Sequence, residues 1–518
     1  MSDAVRGVVV FSGGSAANSL VDVFDSIRKN RNCILSYIIP MSDNGGSSSE
    51  LIRIFGGPGI GDVRSRLVRL IPPCAPGSEL AAIKALVSHR LPPSPGESLS
   101  EWLSIVDGTS QLWESISPAK KELIRSFLNL VNMEILKRAR PPTTTFDYAS
   151  ASVGNLFLTG ARLFSGSVES AIYMLASICS VPVDSIRVIP AINSNFSNHI
   201  SASLLDGTVI VGQNNISHPS EPSSLDNSPE VAPALVHVED DDNPPDSPYE
   251  MAEDHQLPGS LPSLNRKNII FSKTTVEDFP SRISRVWYIN PYGQEIRPPA
   301  NPRAIDAVSQ SQTIIYSIGS LFTSLVPSIV LKGIGKAIAT SSARQKILIL
   351  NGSIDRETGP ANNPFTAVDF IDAIVQAGEQ SRGRQKLTEQ KESNMPPASA
   401  PLGANSSPPS LQLTSTPIPY RSYVTHLLHL EGPGTPIVDR AALAERGIES
   451  LRLYGRKVFD EKGMPVGMHY DPKALMQALE IVMGKKGDAM VRGLGLEKNR
   501  RNTLGAQGNE NNGSNGGD

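Results

Sequence analysis

Apolar positions along this chain keep switching between two periods. Gly7-Val8-Val9-Val10-Phe11 is a short apolar run, 15–28 has helical spacing, and 33–40 is a second short apolar run. Strand–helix–strand order predicts a parallel sheet with helices on both faces. The spacing predicts further strands over 185–191, 201–205, 208–212, 283–289, 313–318 and 346–350. It predicts helices over 78–90, 99–107, 118–138, 153–163, 167–179, 301–309, 325–340, 365–377 and 471–484. The pair around Asp206-Gly207-Thr208 is the exception and reads as a hairpin with a tight Asp-Gly turn. The expected fold class is α/β, a doubly wound and mainly parallel sheet.

Three stretches break the pattern. Residues 217–265 are rich in Pro, Ser, Asp and Glu and include Glu239-Asp240-Asp241-Asp242; 381–420 is rich in Ser, Pro, Gln and Asn; 499–518 is rich in Asn and Gly. Such composition buries too little apolar surface to offset about 1–2 kcal/mol of backbone entropy per residue. They are expected to be a disordered insertion, a linker and a disordered tail. One domain is then expected in two parts, 1–216 and 266–380, with a small helical C-terminal extension at 421–498. The acidic run reads as a solvated loop or as a docking site for a basic protein partner.

Composition adds exclusions. The chain has 518 residues and a formal net charge of −3, so no global basic field points to nucleic acid. Three cysteines, Cys33, Cys74 and Cys179, lie far apart and fit neither a disulfide framework nor a zinc cluster. No apolar run approaches the roughly 20 residues needed to span a bilayer, and no signal-peptide layout is seen. A cytoplasmic protein is the expectation, with a homodimer as the assembly considered.

In open α/β sheets ligands sit at the carboxyl ends of strands, near a switch in strand order. Ser12-Gly13-Gly14-Ser15-Ala16-Ala17-Asn18 follows the first strand. Its glycines would let the backbone approach a phosphate at a helix N-terminus, or would simply make a tight turn. It is neither the G-x-G-x-x-G fingerprint nor a Walker loop. Ser42-Asp43-Asn44-Gly45-Gly46-Ser47-Ser48-Ser49 follows the second strand and reads as a second anion cradle. Asp43 would hold a metal ion, accept a proton near the phosphates, or cap a helix. This stretch continues into Leu51, Ile52, Ile54 and Phe55 at half-buried spacing, which a surface linker would not keep.

In Gly61-Asp62-Val63-Arg64-Ser65-Arg66, Arg64 would bind phosphate oxygens bidentately or make a surface ion pair; Asp62 would orient Arg64 or share a metal. The sequence leaves Arg66 and Arg69 without an assigned role. In Ser152-Val153-Gly154-Asn155, Asn155 would cap the next helix or bind a base or ribose edge. Gly319-Ser320-Leu321-Phe322-Thr323 is a small-residue turn where N–H groups and hydroxyls converge after a strand. Asn351-Gly352 and Glu357-Thr358 follow the last predicted strand. His426 and His429 are placed on an apolar stretch outside the sheet.

Taken in order, Gly13-Gly14, "SDNGGSSSEL", "GDVRSRL", "SVGN", "GSLFTSLVPSIV" and "ETGP" resemble the family of 2-phospho-L-lactate transferase and the gluconeogenesis factor, also called CofD/YvcK-like. The resemblance covers about 5–220 and 266–378. It implies a Rossmann-like fold and either of two roles. The transferase branch uses magnesium to move a phospholactyl group from a nucleotide diphosphate donor to a deazaflavin; the other branch binds UDP-sugars and influences carbon flow. The chain departs from the family pattern at Asp43-Asn44, where a second acid is usual, at Ala151, where histidine is common, and at Ser317-Ile318-Gly319-Ser320, where Gly-Pro-Gly-Ser is usual.

On this reading Gly13, Gly14, Ser15 and Asn18 hold phosphates, and Asn44, Gly45, Gly46, Ser47 and Ser48 close around them. Asn155, Gly319, Ser320 and Thr323 complete the nucleotide site. Asp43 and Asp62 hold Mg²⁺, and Asp43 and Arg64 are the catalytic candidates. The alternatives are a non-catalytic UDP-sugar-binding regulator and, against the missing fingerprint, an NAD(P)-dependent oxidoreductase.

Overall fold

The computed structural model describes residues 7–13, 16–42, 45, 47–141, 144–218, 261, 264, 278–383, 420–460 and 463–484. The three composition-biased stretches fall almost wholly outside these.

Among the described residues thirteen strands follow in chain order: β1 Gly7–Phe11, β2 Ile34–Ile39, β3 Ile186–Pro190, β4 His199–Leu204, β5 Val209–Val211, β6 Ile283–Ile289, β7 Glu295–Ile296, β8 Ser311–Tyr316, β9 Gln345–Ile349, β10 His426–His429, β11 Glu449–Arg452, β12 Gly455–Phe459 and β13 Pro465–Tyr470. Seven of them form one parallel sheet in the order β11-β10-β9-β8-β1-β2-β3. Renumbered along the chain, that order is 3-2-1-4-5-6-7, the doubly wound arrangement with one strand added. The chain reverses its direction of travel at β1, which lies between β2 and β8.

The apolar run of β1 is continuous because both of its faces are covered. Val8 and Val10 join a core with Leu35, Tyr37, Ile315 and Ile347, under helices that include Val21–Arg31, Gly61–Arg69, Pro118–Arg138 and Val153–Ser165. Val9 and Phe11 point the other way, to Ile38, Ile314, Tyr316 and Leu348, under helices Pro302–Gln310 and Ala367–Ser381. This alternation is the period of two that a strand imposes.

A second, antiparallel sheet runs β5-β4-β6-β7. Its β4–β5 hairpin turns at Gly207, with φ +91°, and the Asp206 carboxylate accepts the Thr208 N–H at 2.9 Å, as the Asp-Gly signal predicts. Strands β12 and β13 form a separate antiparallel pair.

Three expectations are corrected. The segment after 421 is not a helical extension: β10 and β11 extend the main sheet beside β9, so His426 and His429 lie on an inner strand. Runs of four residues are too short to show a period, and their partner strands are remote in sequence. The predicted helix 325–340 is broken into Val326–Ile329 and Ile334–Thr340, with Gly333 at φ +100° between them. Inside the glycine-rich stretch, helices Ser47–Phe55 and Gly61–Arg69 form, neither of which is among the predicted helices.

Candidate functional site

The switch in strand order puts the carboxyl ends of β1, β2 and β8 side by side. The Ser12 N–H donates to the Ile38 carbonyl at 3.2 Å, and the Ser317 N–H to the Phe11 carbonyl at 3.0 Å, so the ladder continues one residue past each strand. Gly13 follows at once. A Cβ there would stand 3.0 Å from Asp62 Oδ2, 3.0 Å from Pro40 Cγ and 3.1 Å from Ser324 Cβ. Three motifs separated in sequence therefore close on one backbone position, where a side chain would be tightly crowded.

Gly319, φ +142°, borders the same crevice, with a built Cβ 3.8 Å from the Gly13 carbonyl oxygen. Asn351, just after β9, clamps it: Oδ1 accepts the Gly319 N–H at 3.1 Å and Nδ2 donates to the Gly319 carbonyl at 2.9 Å. The turn that follows is wide, since the Ser320 carbonyl accepts both the Ser324 and the Leu325 N–H.

The N–H groups of that turn already have an acceptor. Glu357 Oε2 accepts from the Phe322 N–H at 2.9 Å and the Thr323 N–H at 3.0 Å, and Oε1 accepts the Thr323 hydroxyl at 2.5 Å. Thr323 thus spends its polar groups inside the protein. Burial and the nearby Asp355 carboxylate push the Glu357 carboxyl well above the ordinary range; Asp355 is raised too, chiefly by burial.

On the other side, Arg64 Nε donates to Asn155 Oδ1 at 3.2 Å, joining the "GDVR" helix to the "SVGN" helix. Gly154 allows this approach: a Cβ would be 2.9 Å from Arg64 Cδ and 2.4 Å from the Val87 carbonyl oxygen. Ser152, not Asn155, caps the helix, its hydroxyl accepting the Asn155 N–H at 3.4 Å. Asn18 Nδ2 donates to Ser65 Oγ at 2.8 Å. The Ser48 N–H donates to the Gly45 carbonyl at 3.1 Å as helix Ser47–Phe55 begins. Gly14, Ser15, Asp43, Asn44 and Gly46 lie outside the described residues, as does the side chain of Ser47.

The crevice thus brings Gly13, Asp62 and Gly319 together with Ser324, and a flank joins Arg64 to Asn155. Sequence reasoning assigned no role to Ser324, Asn351 or Glu357, although the last two follow a strand end and Glu357 opens "ETGP". It also passed over Arg162, whose guanidinium covers Gly57 and donates to the Gly56 carbonyl at 3.1 Å. Among the described residues, no group of three His, Cys, Asp or Glu side chains is gathered as for a metal ion, and no helix is long and apolar enough to cross a membrane.

A doubly wound parallel sheet whose glycine loops meet at the strand-order switch defines a Rossmann-like α/β protein with a crevice of the nucleotide-binding kind. Comparison with known proteins narrows the class. The family model for 2-phospho-L-lactate transferase CofD matches residues 8–397, and the chain belongs to that family. It is similar to the uncharacterized protein YNL011C of Saccharomyces cerevisiae, with 42% identity over 380 residues, 71% of this chain and 83% of the relative. A 77-residue stretch is 39% identical to a Nostoc protein named "Putative gluconeogenesis factor", covering 15% of this chain and 16% of that one. A crystal structure of protein BH3568 from Bacillus halodurans shares the fold, with TM-score 0.52 and 17% identity over 92% of this chain and 99% of that one. A second structure of BH3568, described as a member of the UPF0052 family, gives TM-score 0.51 and 17% identity over 91% of this chain and 99% of that one.

Proposed function

We propose that the protein binds a nucleoside diphosphate compound in the crevice between β1 and β8 and transfers a phospho-linked group from it. The observation that carries this reading is the convergence on Gly13, where Asp62, Pro40 and Ser324 all stand within about 3 Å of a would-be Cβ. Backbone N–H groups of the loop 13–18, with Gly13, Gly14, Ser15 and Asn18, hold the phosphates. Gly45, Gly46, Ser47 and Ser48 close over them with Asn44, and Asn155, Gly319 and Ser320 border the nucleotide.

Asp62 and Asp43 offer hard carboxylate oxygens of the kind Mg²⁺ takes together with substrate phosphates. The Asp62 carboxylate stands against the Gly13 backbone, which fits that use. Bound Mg²⁺ would neutralise charge on the diphosphate. Arg64, held over Gly154 and bonded to Asn155, supplies positive charge to the nucleoside monophosphate that leaves when the P–O–P bridge breaks and the phospho-linked group passes to its acceptor.

A second reading has its own support. Asn44 stands where the family pattern has a second acid, and a curated relative carries the gluconeogenesis factor name. In that reading the same crevice takes a UDP-sugar and no group is transferred. The variant Asp43→Asn separates them. A transferase loses magnesium-dependent product formation by orders of magnitude while nucleotide affinity changes little, because a metal contributes several kcal/mol to charge stabilisation. A regulator forms no product in either protein. Wild-type affinity, metal response and product formation all retained in Asp43→Asn would contradict the proposed role of this acid.

A further inference from the structure

Arg66 is the largest charged side chain in the core, with 1% of its surface exposed. It sits two residues after Arg64 on helix Gly61–Arg69 and faces the opposite way, into the sheet. Its guanidinium lies over the ring of Tyr37, on β2, at 4.7 Å from the centroid. Nη2 donates to Ser12 Oγ at 3.2 Å and Nη1 to the Ala17 carbonyl at 3.4 Å, while the Nε–H has no partner. A guanidinium carries five N–H donors, so this one is under-used. Among the described residues no carboxylate pairs with it directly; Asp62, one turn earlier on the same helix, is the acid within electrostatic reach.

A buried cation without a directly bonded anion is costly. Its two acceptors, Ser12 and Ala17, bracket the loop that leaves β1 for the next helix. An anion held by that loop would supply the missing negative charge.

We propose that Arg66 is a built-in counter-charge for the phosphate site, a positioning residue that fixes Ser12 and Ala17 from beneath and makes affinity rise with the charge of the bound phosphate. This inference rests on the nucleotide reading of the crevice and adds the group that selects diphosphates over monophosphates and nucleosides. Arg66 does not touch the ligand: it acts through Ser12 and through its field, which falls off slowly in a desolvated interior. The alternative is a plain strut, in which Arg66 only holds the loop in shape.

The test is calorimetry on the full chain with uridine, UMP and UDP, the series guanosine, GMP and GDP, and inorganic pyrophosphate. Arg66→Met and Arg66→Gln remove the charge; Arg66→Lys keeps it. The neutral variants are expected to bind UDP or GDP about tenfold or more weakly, the monophosphates less so, and the nucleosides within about twofold of wild type. Arg66→Lys recovers most of the loss. The unliganded neutral variants melt no lower than wild type, because the unpaired cation is gone. A loss of equal size across each series, diphosphate affinity unchanged in both neutral variants, or failure of both to fold would overturn the counter-charge and leave the nucleotide reading standing. Wild-type protein that binds none of the probes would overturn both.

Discussion

Removing the Glu357 side chain tests whether the turn after β8 depends on this buried carboxyl group. Glu357 is 2% exposed, and its two oxygens accept the Phe322 N–H, the Thr323 N–H and the Thr323 hydroxyl. Glu357→Ala strands two backbone donors and one hydroxyl in the interior. Each stranded group costs about 1–3 kcal/mol. The Thr323 hydroxyl can turn to another acceptor, and release of a buried carboxyl offsets part of the loss. A net destabilisation of about 3–5 kcal/mol is expected, as when one partner of a buried polar set is removed. Glu357→Gln keeps an oxygen facing the two N–H groups and resembles the protonated acid that burial favours, so it should cost about 1 kcal/mol or less. Urea denaturation followed by tryptophan fluorescence gives both values from the midpoint at constant slope. Alanine within about 1 kcal/mol of wild type, or glutamine as damaging as alanine, would refute the reasoning.

Other consequences are equally direct. Gly154→Ala drives a Cβ to 2.4 Å from the Val87 carbonyl oxygen; overpacking of about 1–3 kcal/mol and a displaced Arg64 should lower both the melting temperature and nucleotide affinity, and an unchanged melting temperature would show that the helices part freely. Stability should fall as pH rises from about 4.3, the unfolded glutamate value, through the folded value, which burial first and Asp355 second push up to about 8. The folded state holds the proton more tightly across that window, so the unfolded chain binds fewer protons than the fold, unfolding releases a proton, and the slope of stability against pH is negative. Glu357→Gln should flatten it, and an identical slope in that variant would assign the pH dependence elsewhere. A chain ended at 383 lacks β10 and β11 and leaves β9 as an uncovered edge beside Ile347 and Ile349; it should show no cooperative melt, and a soluble, cooperatively melting product would make the last two strands dispensable.

Much of the frame was legible because it repeats a simple period. Gly7–Phe11 and Ile283–Ile289 fall on their predicted limits, and the Asp-Gly turn sits where its chemistry demands. β10 and β11 were not legible: Leu427-Leu428 between two histidines is too brief to show alternation, and the strand is fixed by pairing with Ile347–Ile349 across the long stretch that separates them. The close approach of the chain at Gly13 could be read from its glycines, but the role of Glu357 could not, since its donors lie 35 and 34 residues away at Phe322 and Thr323. Arg64 and Arg66 look alike in sequence. Two residues along a helix turn the side chain by about 200°, so one reaches Asn155 and the other Tyr37, and only packing decides which is buried.

The central claim, that the crevice between β1 and β8 holds a nucleoside diphosphate, is tested most directly by hydrogen exchange of the full chain with and without saturating UDP-sugar or GDP, and with NAD as the control. The account expects slowed exchange in peptides covering 11–20, 60–68 and 317–325 with a diphosphate compound and little change with NAD. Protection by NAD alone, or protection confined to peptides away from these three segments, would contradict it.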